Sequence, residues 1–416
     1  MFMLILIVII IILDIYTFKG IKVLLPKSVR KWLKYTIYYT FWSVTVFMIL
    51  LLLTGYFLRS STRNGNIFIS YFYLFGAFMI IYIPKIVFVI FHLVEDILFC
   101  FKWFYKKFLS GNNILSNSGT PVSRSKFLSQ VGIVLAVIPF VSLIGGIVKG
   151  RFNFKVEHLK LHFPDLPKSF NGLKIVQISD LHIGSFKGLE SQVEEAISLI
   201  NAQEADYLLF TGDLVNNFYD ELEGGWINIL SKMTAKLGKF SILGNHDYGN
   251  YYDWDSKKDK FDNFKKIIDA HAKIGFQLLK NDSVKICRGD GTIALIGVEN
   301  WGRRPFPQLA DYEKASKNVA GIPFKILMSH DPTHWDAKIL GKTDVRLTLS
   351  GHTHGMQLGI KLGNRRYSPA SFRYPRWGGL YREGRQYLYV NRGLGFIGYP
   401  GRVGMPPEIT VFEFSV

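Results

Sequence analysis

Five of the ten histidines in this chain sit in short clusters rich in aspartate, asparagine and glycine. The clusters are Asp180-Leu181-His182, Gly212-Asp213, Gly244-Asn245-His246-Asp247, Ser329-His330 and Gly351-His352-Thr353-His354. Imidazole nitrogen suits Zn, Fe and Mn-type ions, and carboxylate or amide oxygen suits harder ones. Seven side chains, Asp180, His182, Asp213, Asn245, His330, His352 and His354, therefore form a coherent donor set. They divide into two octahedral-leaning sites sharing one carboxylate. Their modest net charge leaves the ions electrophilic enough to activate water. Two ions ~3.5–4 Å apart can hold a bridging hydroxide and clamp both the attacking and the leaving oxygen. Turn capping explains Asp180, Asp213 or Asn245 singly, but not five histidines at one sheet edge.

The elements that must position these residues read as an α/β enzyme. Lys174–Ser179, Tyr207–Phe210, Phe240–Leu243, Phe324–Met328 and Val345–Leu349 are short apolar runs predicted as strands, and each leads into one cluster. Sites in open α/β sheets form beyond the carboxyl ends of strands, so five such endings converge. Gly212, Gly244 and Gly351 let the backbone turn sharply and approach the ions. Gln192–Ile200 carries Val193, Ile197 and Ile200 at helical spacing. Residues 284–298 read as a hairpin turning at 288–291. Tyr387–Val390 and Ile409–Phe414 are late strands. Tyr251–Phe264 reads as an exposed, lid-like polar-aromatic stretch.

Taken in this order, the five clusters resemble the full signature of the calcineurin-like metallophosphoesterases. The flanks Leu173–His182, Gly351–Gln357 and Pro406–Thr410 are similar to its membrane-anchored YkuE/YaeI-like branch, which is related to the UDP-2,3-diacylglucosamine diphosphatases of lipid A biosynthesis. The resemblance covers residues 165–416. It implies a four-layer α/β/β/α sandwich. One ion would bind Asp180, His182, Asp213 and His354, and the other Asp213, Asn245, His330 and His352, with Asp213 bridging. The ions would be Mn, Fe or Zn. His246 would face the scissile phosphate as the catalytic residue, donating to the leaving oxygen or stabilising charge. Phosphoprotein phosphatases of the superfamily carry an Asp three residues after the bridging Asp, paired with the catalytic histidine; here Asn216 stands there. Asp247 is an alternative partner for His246.

Residues 1–150 are a different kind of sequence. Four apolar stretches, Phe2–Phe18, Tyr35–Leu58, Ile67–Leu98 and Val131–Val148, read as a membrane anchor of about four transmembrane helices. Residues 151–416 form the hydrolase domain. The first stretch has neither the basic start nor the small-residue cleavage site of a signal peptide. Of the formal charge of +18, +12 lies in residues 1–150, so the basicity belongs to loops flanking apolar runs rather than to a nucleic-acid-binding surface. Lys19–Lys34 and Lys102–Lys126 are the basic loops, against only Arg59 and Arg63 between the second and third stretches. The positive-inside rule then puts the domain on the outer face of a bacterial cell membrane. Ser123–Leu128 resembles a degraded twin-arginine export signal, or an ordinary basic stop before a helix. Snorkelling and interfacial placement account for Asp14, Lys85, Glu95 and Asp96, and the spans show no paired buried charges of the kind a transporter needs. Cys100 and Cys287 are too far apart in sequence for a disulfide framework or zinc motif.

The expected activity is hydrolysis of a phosphodiester, phosphomonoester or pyrophosphate bond in a lipid-linked or membrane-proximal substrate. UDP-2,3-diacylglucosamine is one alternative, and a non-catalytic receptor with a relict hydrolase domain is another. A relict should have lost ligands, and all eight positions are intact. Arg303, Arg304 and Arg392, together with Trp254, Trp301 and Arg402, are candidate contacts for an anionic substrate. His158, His162, His271 and His334 read as surface or interface residues, with His334 solvent-facing.

Overall fold

The computed structural model describes residues 2–58, 65–108, 121–363 and 365–416. The polar segment 112–120 and the residues Arg59 and Arg63 lie outside them. Two compact units meet in sequence at Gly145 and Gly146.

The first unit is helical: α1 (Phe2–Leu24), α2 (Lys31–Leu58), α3 (Gly65–Phe108) and α4 (Pro121–Val148). Met3–Leu24, Lys31–Gly55, Ser70–Tyr105 and Lys126–Val148 are each long and apolar enough to cross a membrane. Ile10, Met48 and Tyr82 form its innermost contact. Small residues let these helices close up. A Cβ at Gly20 would strike Phe88 and His92, and one at Gly132 would crowd Phe88. The expectation that the spans lack paired buried charges is overturned. Asp14 is fully buried and lies 2.6 Å from Lys85 Nζ. It also accepts from Thr45 Oγ1 at 2.6 Å and from the Tyr82 hydroxyl. A charge at this depth requires such partners, and residues 14 and 85 are too distant in sequence for periodicity to pair them.

Among the described residues the second unit contains fourteen strands: β1 (Lys155–His162), β2 (Lys174–Ile178), β3 (Tyr207–Phe210), β4 (Gly238–Ser241), β5 (Gln277–Leu278), β6 (Asp282–Arg288), β7 (Gly291–Gly297), β8 (Lys325–Met328), β9 (Leu347–Ser350), β10 (Ile360–Leu362), β11 (Arg365–Tyr367), β12 (Gly379–Glu383), β13 (Gln386–Val390) and β14 (Glu408–Ser415). Its helices are α5 (Glu190–Asn201), α6 (Trp226–Ser231), α7 (Lys257–Ile274) and α8 (Tyr312–Ser316). One six-stranded sheet runs β1-β14-β2-β3-β4-β5 and the other β12-β13-β9-β8-β7-β6. In each, the motif-bearing strands pair in parallel.

Strand periodicity builds the layers. Successive residues face opposite sides, so a strand buried on both faces is apolar throughout. In β3, Leu208 and Phe210 enter the core shared with α5, α6 and α7. Tyr207 and Leu209 enter the core between the sheets. In β8, Ile326 and Met328 join that same middle core, whereas Leu327 faces a third core with Trp335 and Ile339. Three cores separate four layers, giving the α/β/β/α sandwich. Helix α5 buries Val193, Ala196, Ile197 and Ile200, the stripe its spacing predicts.

The stretch Tyr251–Phe264 differs from expectation. Its second half is the start of α7, where Ser256 Oγ accepts from the Asp259 amide at 3.1 Å, an ordinary N-cap. The first turns are highly charged, and the buried positions begin only at Asn263 and Ile267, so the charge masked the helix.

Candidate active site

All five motif clusters leave the carboxyl ends of β2, β3, β4, β8 and β9, three strands from one sheet and two from the other. Gln177 Nε2 donates to the Ser350 carbonyl at 2.9 Å, tying the sheets together at this end. Asp180, His182, Asp213, His352 and His354 all take left-handed backbone, with φ between +44° and +72°. Such strain costs about 1–3 kcal/mol per residue and clusters where function demands it. Gly212 turns at φ +98°. Gly244 and Gly351 serve differently, because a Cβ at either would collide with the Asp213 or Asp180 carboxylate.

The donor atoms form two groups joined by one oxygen. In the first, His182 Nε2 lies 3.1 Å from His354 Nε2, and His354 Nε2 lies 3.2 Å from Asp180 Oδ1. In the second, Asn245 Oδ1 lies 3.1 Å from His330 Nε2 and 2.7 Å from His352 Nδ1. Asp213 Oδ2 is 3.5 Å from His182 Nε2 and 3.1 Å from His330 Nε2. Asp180, His182 and His354 form one possible metal-holding cluster, and Asp213, His330 and His352 another. Buried imidazoles and carboxylates converging this closely suit a divalent cation.

The electrostatics agree. Burial works against a charge on His330, but the Asp213 carboxylate outweighs it and pushes the His330 pKa up to about 10. Burial likewise opposes the Asp213 charge, and His330 holds that carboxyl well below its usual range.

Partners of the ligands fix their orientation, as metal-site histidines require. His330 Nδ1 donates to the Thr211 carbonyl at 2.7 Å, leaving Nε2 for the site. His352 Nε2 lies 2.9 Å from the Tyr374 hydroxyl and 3.3 Å from Asp331 Oδ2. Arg402, nearly fully buried, brings Nη2 to 3.1 Å from His354 Nδ1 while donating to the Arg392 and Gly393 carbonyls. Burial pushes its pKa down to about 9. Sequence reasoning missed Asp331 and Tyr374. Asp331 was readable as the neighbour of His330; Tyr374 carried no signal.

His246 is half-buried. Its amide donates to Asp213 Oδ1 at 2.8 Å, and its Nδ1 lies 2.7 Å from the Asn216 main-chain carbonyl. Burial pushes its pKa down, against the upward pull of the Asp213 carboxylate and this carbonyl. The Asn216 side chain turns away to Ser185. Glu221 braces this loop by accepting the amides of Asn216, Asn217 and Phe218 at 2.7, 2.8 and 2.9 Å. Asp247 is not the partner of His246. It accepts the amides of Asp213, Leu214, Val215 and Gly244, clasping the turns after β3 and β4.

Other candidates are placed elsewhere. Arg392 is buried, and its Nη2 is paired with Glu157 at 2.9 Å and Glu408 at 2.6 Å. Arg303 and Arg304 are exposed, on a loop whose Phe306 ring packs 4.8 Å from that of His352. Trp301 stacks on His334, and Trp254 packs against Phe218 and Tyr252. His334 is buried rather than solvent-facing, with Nδ1 2.9 Å from Ser329 Oγ. His271 is buried too, against Phe210.

A two-sheet sandwich with this edge brings together residue groups that could hold divalent metal ions. Residues 1–151 match the family described as the probable calcineurin-like phosphoesterase transmembrane domain, and residues 173–356 match the calcineurin-like phosphoesterase family. The chain is 35% identical over 262 residues to the metallophosphoesterase YkuE of Bacillus subtilis, covering 60% of this chain and 82% of that one. It is 29% identical over 317 residues to a transmembrane protein with metallophosphoesterase domain from Danio rerio, covering 71% and 67%. It is 27% identical over 304 residues to the UDP-2,3-diacylglucosamine pyrophosphatase LpxG of Chlamydia muridarum, covering 60% and 86%. The chain belongs to the calcineurin-like metallophosphoesterases: it is a membrane protein and a hydrolase of phosphoester bonds.

Proposed function

We propose that the chain cleaves a phosphodiester or pyrophosphate bond in a lipid-linked or membrane-proximal substrate, using two divalent ions. Asp180, His182, Asp213 and His354 hold one ion; Asp213, Asn245, His330 and His352 hold the other. The observation that carries this reading is the single oxygen, Asp213 Oδ2, shared by the two donor groups. When bound, the ions supply an activated water and neutralise phosphoryl charge. Chelation should abolish hydrolysis of a soluble phosphodiester, and Mn, Fe or Zn should restore it with two ions per chain by elemental analysis. Full activity with a single ion per chain would overturn the dinuclear reading.

The Asn216 carbonyl holds the His246 Nδ1–H, which leaves Nε2 as the ring nitrogen available to the phosphoryl group. With that bond made, an Nε2 proton exists only on the imidazolium, and a carbonyl favours the cation less than a carboxylate does. Donation from Nε2, as a hydrogen bond to developing charge or as a proton to the leaving oxygen, therefore requires the protonated ring, which burial opposes and the Asp213 carboxylate favours. His246→Ala should lower kcat by roughly 10²–10⁴-fold with metal content unchanged. Loss of the ions instead would make His246 a ligand.

The loop charges put the hydrolase domain on the outer face of a bacterial cell membrane. A cysteine at position 259, in a chain lacking Cys100 and Cys287, should then react with a membrane-impermeant thiol reagent on intact cells. Labelling only after lysis would reverse the orientation. UDP-2,3-diacylglucosamine, favoured by the likeness to LpxG and carrying a cytoplasmic nucleotide, would then become the leading substrate.

A further inference from the structure

Among the described residues, strands β10 and β11 form a two-stranded sheet that pairs with no other strand. Ile360 opposes Tyr367 and Leu362 opposes Arg365, and opposed residues share a face. Ile360 and Leu362, two apart, point to the same side. That side is therefore apolar and edged with arginine, yet Ile360 and Leu362 are each 63% exposed and Tyr367 is 52% exposed. On the opposite side Arg366 pairs with Glu157 of β1 at 2.9 Å. The turn that follows, Pro369–Phe372, is pinned when Ser368 Oγ donates to the Gly355 carbonyl at 2.6 Å. It leaves Phe372 94% exposed.

Charge identifies what covers this face. Between Met356 and Arg376 there are five basic residues and no acidic one. Arg366 and Arg376 are ion-paired within the domain, while Arg365, on the apolar face, and Arg373 are exposed. Aliphatic and aromatic side chains interleaved with Lys and Arg suit the interface of an anionic bilayer, where the apolar groups enter the headgroup boundary and the cations meet phosphate. The chain itself is tied to a bilayer, since only residues 149–154 separate α4 from β1. We propose that the outward face of the β10–β11 hairpin, with Phe372, docks on an anionic phospholipid surface. The same segment carries Tyr374 to His352 and lends the Trp377 carbonyl to Thr353. Docking would therefore set the mouth of the site at the lipid surface. This surface is independent of which bond is cleaved.

The test uses the full chain in nanodiscs of phosphatidylcholine with phosphatidylglycerol, in a background lacking Cys100 and Cys287. An environment-sensitive fluorophore is placed on a cysteine at position 362, 372 or 290, the last in the exposed β6–β7 turn. Doxyl-labelled lipid should quench positions 362 and 372 but not 290. Arg365→Glu with Arg373→Glu should reduce quenching at 372, by roughly tenfold in the docked fraction. Hydrolysis of a soluble phosphodiester, unchanged in Leu362→Ser and Phe372→Ser, shows that the variants fold. Positions 362 and 372 as unquenched as 290 would overturn the proposal. Quenching that ignores both arginines would overturn its anionic-lipid basis.

Discussion

Asp213→Asn should lower phosphodiester hydrolysis by roughly 10³-fold or more, beyond the 10–100-fold cost of disturbing a partner of a metal ligand, and should strip both ions. The substitution isolates charge. Asn tolerates the left-handed backbone that Asp213 adopts at φ +60°, and its amide oxygen can still accept the His246 amide that now reaches Asp213 Oδ1. Gly244 leaves room for an isostere and nothing larger. What disappears is the anionic oxygen between His182 and His330. Asp247 does not substitute for it, because it is committed to four backbone amides and burial with the Asp213 charge pushes its pKa up to about 7. Elemental analysis and kcat/KM on one preparation decide the matter. Two retained ions with activity within about tenfold of wild type would remove Asp213 from the bridging position.

The motif strands were legible because a strand buried on both faces must be apolar throughout, and β3 fills its expected span, Tyr207–Phe210. The seven candidate donors stood out because little else gathers histidine and aspartate after strand ends. Strand β1 was not, since Lys155–His162 alternates partly exposed residues at a sheet edge. Strand β5 has only two residues. The oxygen that orients His246 belongs to the main chain of Asn216, and side-chain identity says nothing about a carbonyl. Arg392 illustrates the converse: an arginine in sequence shows its charge but not the Glu157 and Glu408 with which it pairs.

The same blindness to long-range pairing hid the polar clasp of the anchor, and its removal should have the largest effect on the stability of the helical unit. Asp14 from α1, Thr45 from α2 and Tyr82 and Lys85 from α3 meet around one carboxylate. Lys85 Nζ also lies over the rings of Phe41 and Tyr82, at 4.8 and 4.5 Å. Asp14→Leu leaves the lysine charge without its carboxylate among apolar helices. Breaking a buried pair costs about 3–5 kcal/mol, well above the roughly 0.6 kcal/mol of an average interhelical hydrogen bond in a membrane. Lys85→Met should cost a similar amount by stranding Asp14. The double variant removes both charges together, so it should recover most of the loss, giving a coupling energy of several kcal/mol in a double-mutant cycle. Unfolding of the full chain in mixed detergent micelles, titrated with SDS, measures all four corners. Additive single effects would mean that Asp14 and Lys85 act separately, each satisfied by water or headgroups rather than by the other.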